Sequence, residues 1–286
     1  MRHESAQFDA RSASRPVPYP PAFAQPLPAA AVRQALFNKE FVAFCQPKVS
    51  IDTGKLVGVE ILARWDQPSL GLLSPLHFLP ALEAQELLDE LFRQMLDQAL
   101  RIRRELRIYG CDLNLALNIH PMQLKQPGFA QEVELALKQR GCPPRALTLE
   151  VIETGAIEAS GVSFRNLLQL RLMGCSLPMD DFGSGFSSLQ RLCDLPFSEI
   201  KLDASFLRQL DSNAKTRAII ESTVKLANAL KLKLVVEGVE TRCQMQQLQA
   251  LGCRTAQGFF FARPMPAEQF IGFCMMHNST SDAVSL

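Results

Sequence analysis

Eight short runs of β-forming residues recur along this chain, most of them separated by stretches with helical periodicity. They are FVAFCQPKVSI (41–51), LVGVEILARW (56–65), LNLALNI (113–119), LTLEVI (147–152), SLPMDDF (176–182), EIKLD (199–203), LKLVVEGV (232–239) and AQGFFFA (256–262). The longest helical pattern, PLHFLPALEAQELLDELFRQMLDQALRIRREL (75–106), reads as a single helix; TRAIIESTVKLANALK and TRCQMQQLQALG are others. Strands alternating with helices build a parallel sheet covered by helices, and eight of them close into an α/β barrel of the TIM (β/α)8 type. One junction departs from that scheme. Only DTGK joins the first two runs, a hairpin-length loop, so this pair should be antiparallel and the expected fold is a modified TIM barrel with one antiparallel strand.

The texture between residues 30 and 277 is uniform, which points to one domain of ordinary globular composition. Residues 1–29 are rich in Pro, Ala and Ser and are expected to form a disordered leader; residues 278–286 read as a flexible tail. The formal charge of +1 leaves no overall field to draw the molecule to a nucleic acid polymer or an anionic membrane, so an anionic ligand must be met locally. No apolar stretch reaches the ~18 residues needed to span a bilayer, and the N-terminus lacks the apolar core of a secretory signal. The eight cysteines show no C-x-x-C spacing and several sit in apolar runs, as expected of reduced thiols in a cytoplasmic protein.

Barrel strands should be apolar on both faces, because helices cover the outside and side chains fill the inside. Here Glu60, Asn118, Glu150, Asp180, Lys201, Glu237 and Gln257 interrupt the runs, usually late in each. Alternation puts Glu60, Leu62 and Arg64 on one face of their strand, opposite Ile61 and Ala63, and likewise sets Lys201 and Asp203 against Ile200 and Leu202. A single Asn in a strand is commonly hydrogen-bonded core, and a single Glu is commonly an ion-pair partner. Seven such residues on separate strand ends are different: carboxylates converging at one mouth need compensating cations. An oxygen donor set suits Mg²⁺ or Mn²⁺ better than zinc. It also accounts for the adjacent pair in MDDFGSG, where Asp180 can bridge two cations and Asp181 hold one of them.

E-I-L-A-R (60–64), N-I-H-P-M-Q-L (118–124), L-E-V-I-E-T-G (149–155), M-D-D-F-G-S-G (179–185), I-K-L-D (200–203), V-E-G-V-E (236–240) and Q-G-F-F-F-A-R-P (257–264) stand in this order. Together they resemble the EAL-domain cyclic di-GMP phosphodiesterases, most of all the EAL output domains of response-regulator phosphodiesterases. The leader is too short for a receiver domain, and none is expected. The resemblance implies a modified TIM barrel in a bacterial cytoplasm that hydrolyses cyclic di-GMP to linear pGpG with two cations, Mg²⁺ or Mn²⁺, per site. It implies one cation on Glu60, Asn118, Glu150 and Asp180 and a second on Asp180, Asp181 and Glu237. Lys201 would orient the nucleophilic water and Glu153 would tie down the loop after Asp181. Gln46, Leu62, Arg64, Asp203, Glu240 and Gln257 would line the substrate side, with Arg64 on a phosphate. A homodimer beside residues 186–199 is a further expectation.

Three positions depart from the family's usual pattern. Ile61 replaces the alanine of E-A-L, and alternation turns it toward the helices, so a packing change without loss of catalysis is expected. Phe259 stands where a tyrosine is common, and Cys45 where an aromatic is common. The competing readings are a catalytically inactive receptor of the same dinucleotide and a barrel enzyme acting on another phosphorylated metabolite.

Overall fold

The computed structural model describes residues 28–151, 161–182, 188–210 and 213–283. The chain opens with α1 (Ala29–Asn38), the hairpin β1 (Phe41–Ser50) and β2 (Leu56–Gln67), a short β3 (Gly71–Leu73), then α2 (Pro75–Ala84) and α3 (Leu88–Ile108). Next come β4 (Asn114–Ile119), α4 (Pro121–Leu124), α5 (Phe129–Gln139), β5 (Leu147–Val151), α6 (Gly161–Met173), β6 (Pro178–Phe182) and α7 (Ser188–Asp194). The last part holds β7 (Glu199–Leu202), α8 (Ala204–Arg208), α9 (Ala214–Ala229), β8 (Lys233–Val236), α10 (Arg242–Ala250), β9 (Thr255–Ala256), β10 (Met265–Pro266) and α11 (Ala267–Ala283).

Eight of these strands close a barrel in the order β1, β9, β8, β7, β6, β5, β4, β2 and back to β1. From β2 round to β9 every neighbouring pair is parallel. β1 alone runs against both of its ring neighbours, β2 and β9, as the hairpin-length loop required. Gly54 turns that loop at φ 70, and Ser50 N–H closes it on Lys55 O at 2.9 Å.

The period-2 alternation decides what fills the barrel. Val59, Ile61, Leu115, Leu117, Leu147, Leu149 and Ile200 join the large apolar core beneath the helices. Val49, Leu202 and Val236 join a second apolar cluster with residues of α9 and α10. Between them, Glu60, Asn118, Thr148, Glu150 and Lys201 are polar and face inward. Phe41, Trp65 and Phe78 stack edge to tilted where α2 crosses β1 and β2, with ring centroids of Phe41 and Phe78 5.0 Å apart. The apolar stripe of α3, from Leu91 to Leu106, lies buried against the sheet. All eight cysteines are free thiols.

Three elements differ from the sequence expectation. The pattern over 75–106 is two helices, because Glu86 takes φ 55 and Leu87 N–H turns back to Leu82 O at 2.9 Å. No Gly or Pro marks that break; α2 packs on β2, while α3 runs over β1 and β4 as well as β2. The run AQGFFFA is a strand only at its start, since β9 stops at Ala256. Gly258 then crosses the backbone of Val239 so closely that a Cβ there would sit 2.2 Å from Val239 O. The helical pattern of α11 carries on to Ala283, through residues 278–283 that read as tail. Most of the Pro-rich leader lies outside the described residues, as does the end of the chain after 283. No helix among the described residues is long and apolar enough to cross a membrane.

Candidate active site

The inward polar side chains gather in two layers. The layer at the C-terminal ends of the parallel strands contains most of the residues singled out from sequence. Glu60 lies opposite Gln46 across β1 and β2, and Asn118 lies beside Glu150 across β4 and β5. Asn118 Nδ2 donates to Glu60 Oε1 at 3.0 Å, and Gln257 Nε2 donates to Glu60 Oε2 at 2.5 Å. The same Gln257 amide reaches Gln46 Oε1 at 2.9 Å, and Gln46 donates to Ala262 O. Five residues from distant parts of the sequence thus hold one another in place.

Lys201 stands at the centre of the acids. Its ammonium lies 2.6 Å from Glu150 Oε2, 2.7 Å from Glu237 Oε1 and 3.1 Å from Asp180 Oδ1. The last contact lacks hydrogen-bond geometry, leaving Asp180 Oδ1 buried with no hydrogen-bond partner among the described residues; Gln257 Oε1 is in the same state. Burial opposes the charge on Lys201, but Glu150, Glu60, Glu237 and Asp180 overcome it and hold the ammonium protonated well above the ordinary lysine range. Glu150 is fully buried. Burial alone would raise its carboxyl, yet Lys201 and Lys48 outweigh it and bring the group down to about 2. Glu237 goes the other way. Burial, with Glu60, Asp180 and Glu150 nearby, pushes it up to about 7 against the pull of Lys201.

Local structure explains how these side chains reach the mouth. Glu237 and Gln257 each follow the last residue of a strand and each precede a glycine that no larger residue could replace. A Cβ on Gly238 would lie 2.3 Å from Ala204 Cβ, so the backbone after Glu237 can pack on α8 only without one. After Asn118, His120 caps α4 in a capping box with Gln123, which fixes the chain as it leaves β4.

The remaining expected residues sit around this cluster. Arg64 is buried, donates to Ala63 O at 2.8 Å and lies 5.7 Å over the Phe44 ring. Leu62 is half-buried and lines, with Asn118, His120 and Gln123, an apolar cleft of ≈ 380 Å³ beneath α2 and α3. Asp203 caps α8 by accepting from Ser205 N–H at 2.9 Å; against burial, these hydrogen bonds lower its carboxyl. Glu240 is exposed on the loop before α10. Ile61 is buried in the apolar core, facing away from the acids, as alternation required. Phe259 is half exposed with Arg263 4.2 Å over its ring, and burial pushes the Cys45 thiol up to about 12. Glu153 and the side chain of Asp181 lie outside the described residues.

Two residues of the deeper layer were missed. Lys48 Nζ lies 2.5 Å from Glu150 Oε1 and 4.0 Å from Glu199 Oε1. Both follow from the same period-2 rule, since Lys48 is two residues after Gln46 and Glu199 two before Lys201.

Among the described residues, no three acidic, histidine or cysteine side chains enclose a common point, because the carboxylates converge on the Lys201 ammonium. The donor set nevertheless fits a hard divalent cation. It is made of oxygens, its carboxylates outnumber its ammonium groups, and it includes a buried Asp180 oxygen with no hydrogen-bond donor.

A sequence profile of the EAL domain matches residues 29–264. The cyclic di-GMP phosphodiesterase RocR of Pseudomonas aeruginosa is 48% identical over 243 residues, which cover 85% of this chain and 62% of RocR. The bifunctional diguanylate cyclase/cyclic di-GMP phosphodiesterase MucR of the same organism is 41% identical over 241 residues, covering 84% of this chain and 35% of MucR. The chain therefore spans only part of the length of these two relatives. Among solved structures, the PaMucR phosphodiesterase in complex with c-di-GMP superposes with a TM-score of 0.77 at 40% identity, over 84% of this chain and 98% of that one. A profile match that runs through nearly the whole barrel, on a ring with one reversed strand, makes this chain a member of the EAL domain family.

Proposed function

We propose that the chain hydrolyses one phosphodiester of cyclic di-GMP, giving linear pGpG and lowering this second messenger in a bacterial cytoplasm, with effects on motility and biofilm. The observation that carries this reading is the meeting of Glu150, Asp180 and Glu237 on Lys201 at the C-terminal end of an EAL barrel. The names of RocR and MucR, and the c-di-GMP in the PaMucR structure, support it.

Glu60, Asn118, Glu150 and Asp180 would hold one Mg²⁺ or Mn²⁺, and Asp180, Asp181 and Glu237 a second. Bound divalent cations supply Lewis-acid charge on a phosphoryl oxygen and a water acidified toward neutral pH. The chain's own residues do the rest. Arg64 meets a phosphate by charge-assisted hydrogen bonds. Gln46 and Leu62 line the substrate side, and the apolar cleft beside Leu62 offers a wall for a flat base. Lys201 orients the attacking water, and the Glu237 carboxylate can accept its proton. The new P–O bond forms as the bond to the 3′ oxygen breaks, and that oxygen takes up a proton. Gln257 steadies Glu60, Glu153 ties down the loop after Asp181, and Asp203 and Glu240 complete the substrate side. A homodimer contacting beside α7, where Leu189 is exposed, belongs to the same reading.

Incubation with cyclic di-GMP and Mn²⁺, followed by chromatography, tests the proposal. The expected product is pGpG. Bound but intact dinucleotide after prolonged incubation would assign the chain to the receptors instead.

A further inference from the structure

Glu150 is gripped twice. Lys201 takes Oε2 from the side of Asp180 and Glu237, while Lys48 takes Oε1 at 2.5 Å from the opposite end of the barrel. The two lysines differ in their company. Lys201 is shared among three carboxylates at the mouth. Lys48 projects from β1, the reversed strand, into a chamber of ≈ 180 Å³ at the starts of the parallel strands. Gly58, Asn114, Thr148, Glu199 and Lys233 line that chamber with it. Among the described residues, the other carboxylate that pairs with it is Glu199, at 4.0 Å, whose Oε1 is buried with no hydrogen-bond partner among them.

We propose that Lys48 is a positioning residue: it clamps Glu150 through Oε1, so that Oε2 is the oxygen committed to a divalent cation. This rests on the reading of the upper layer as a metal site. A carboxylate held at one oxygen can turn about its last torsion and exchange its oxygens. Held at both ends it cannot, and when a cation draws Oε2 away from Lys201 the Lys48 contact remains. Glu199 steadies Lys48 from the far side.

The clamp is separable from simple charge compensation. If Lys48 served only to neutralise acids, removing its positive charge would strengthen cation binding. If it positions Glu150, removing it weakens cation binding by about 10–100-fold, the usual effect of losing a group that orients a metal ligand.

The test is calorimetric titration of the substrate-free protein with Mn²⁺, for the parent and Lys48→Met, with thermal unfolding of the metal-free forms recorded separately. The expected result is the weaker binding above, in protein that still unfolds cooperatively. Equal or tighter binding overturns the clamp. Should Lys48→Met fail to fold, Lys48→Gln is read the same way: weaker binding supports the clamp, and equal or tighter binding overturns it. Cleavage of cyclic di-GMP is scored in parallel. A parent that cleaves while the variant matches its Mn²⁺ affinity refutes the clamp alone. A parent that binds Mn²⁺ more tightly than the variant, with no cleavage by either, refutes the phosphodiesterase reading alone. A parent that binds no Mn²⁺ overturns both.

Discussion

Lys201 Nζ lies 2.7 Å from Glu237 Oε1, yet the Glu237 carboxyl sits at about 7. Burial and the neighbouring acids outweigh one cation. A carboxyl raised in this way is protonated below its pKa, and a divalent cation must displace that proton. Mn²⁺ affinity should therefore fall as the pH drops through about 7 and level off above it, with proton release on binding. Calorimetry in buffers of different ionisation enthalpy checks this. An affinity independent of pH across that window would contradict the assignment of Glu237 as a ligand.

Asp180 is assigned to both cations, so its loss should be the most severe single change at the site. Asp180→Ala is expected to lower turnover by more than about a hundredfold, beyond the usual cost of losing a supporting group. Glu150→Gln should be nearly as damaging. Steady-state kinetics at saturating Mn²⁺ decide it, and near-parental turnover by Asp180→Ala would refute the shared-ligand scheme.

Ca²⁺ should bind and yet support little turnover, because its coordination is larger and looser than that of Mg²⁺. The expected result is protection against thermal unfolding by Ca²⁺ together with inhibition of the Mn²⁺-dependent reaction. Parental rates in Ca²⁺ alone would count against a geometrically demanding site.

Ile61 is only 3% exposed and belongs to the core beneath the helices. Restoring the signature alanine by Ile61→Ala should destabilise the fold by about 2–5 kcal/mol without raising kcat. Chemical denaturation and kinetics on the same preparation test both halves. A faster enzyme would show that position 61 acts on the site after all.

Gly258 has no room for a side chain above Val239. Gly258→Ala should cost at least about 2 kcal/mol through backbone displacement and should shift Gln257 away from Glu60 and Gln46. A variant of unchanged stability would contradict the close crossing.

Much of this was legible before any coordinates. The strand alternation turned Glu60, Asn118, Glu150, Asp180 and Lys201 inward together, and the DTGK loop required β1 to run backwards. Gln257 joins Glu60 across the closed ring although 197 positions separate them in the chain; the sequence marked Gln257 as a polar break in an apolar run, but not this contact. The break at Glu86 was invisible because the chain around it carries no Gly or Pro to stop a helix. The early end of β9 was hidden for the opposite reason. The apolar run continues through Phe261, but the constraint is a backbone crossing with Val239, 19 residues upstream of Gly258, that no local pattern encodes. Lys48 was overlooked for a simpler reason: a lysine near the end of a strand reads as an exposed charge, although alternation from Gln46 turns it inside and the reversed direction of β1 puts it at the starts of the parallel strands.

The central claim is that acidic oxygens from separate strands gather divalent cations at the mouth of this barrel. Anomalous diffraction from crystals grown with Mn²⁺ and a non-hydrolysable cyclic di-GMP analogue tests it most directly. The account predicts two manganese peaks, one bounded by Glu60, Asn118, Glu150 and Asp180 and the other by Asp180, Asp181 and Glu237. A mouth without anomalous signal, with Lys201 still holding Glu150 and Glu237, would contradict it.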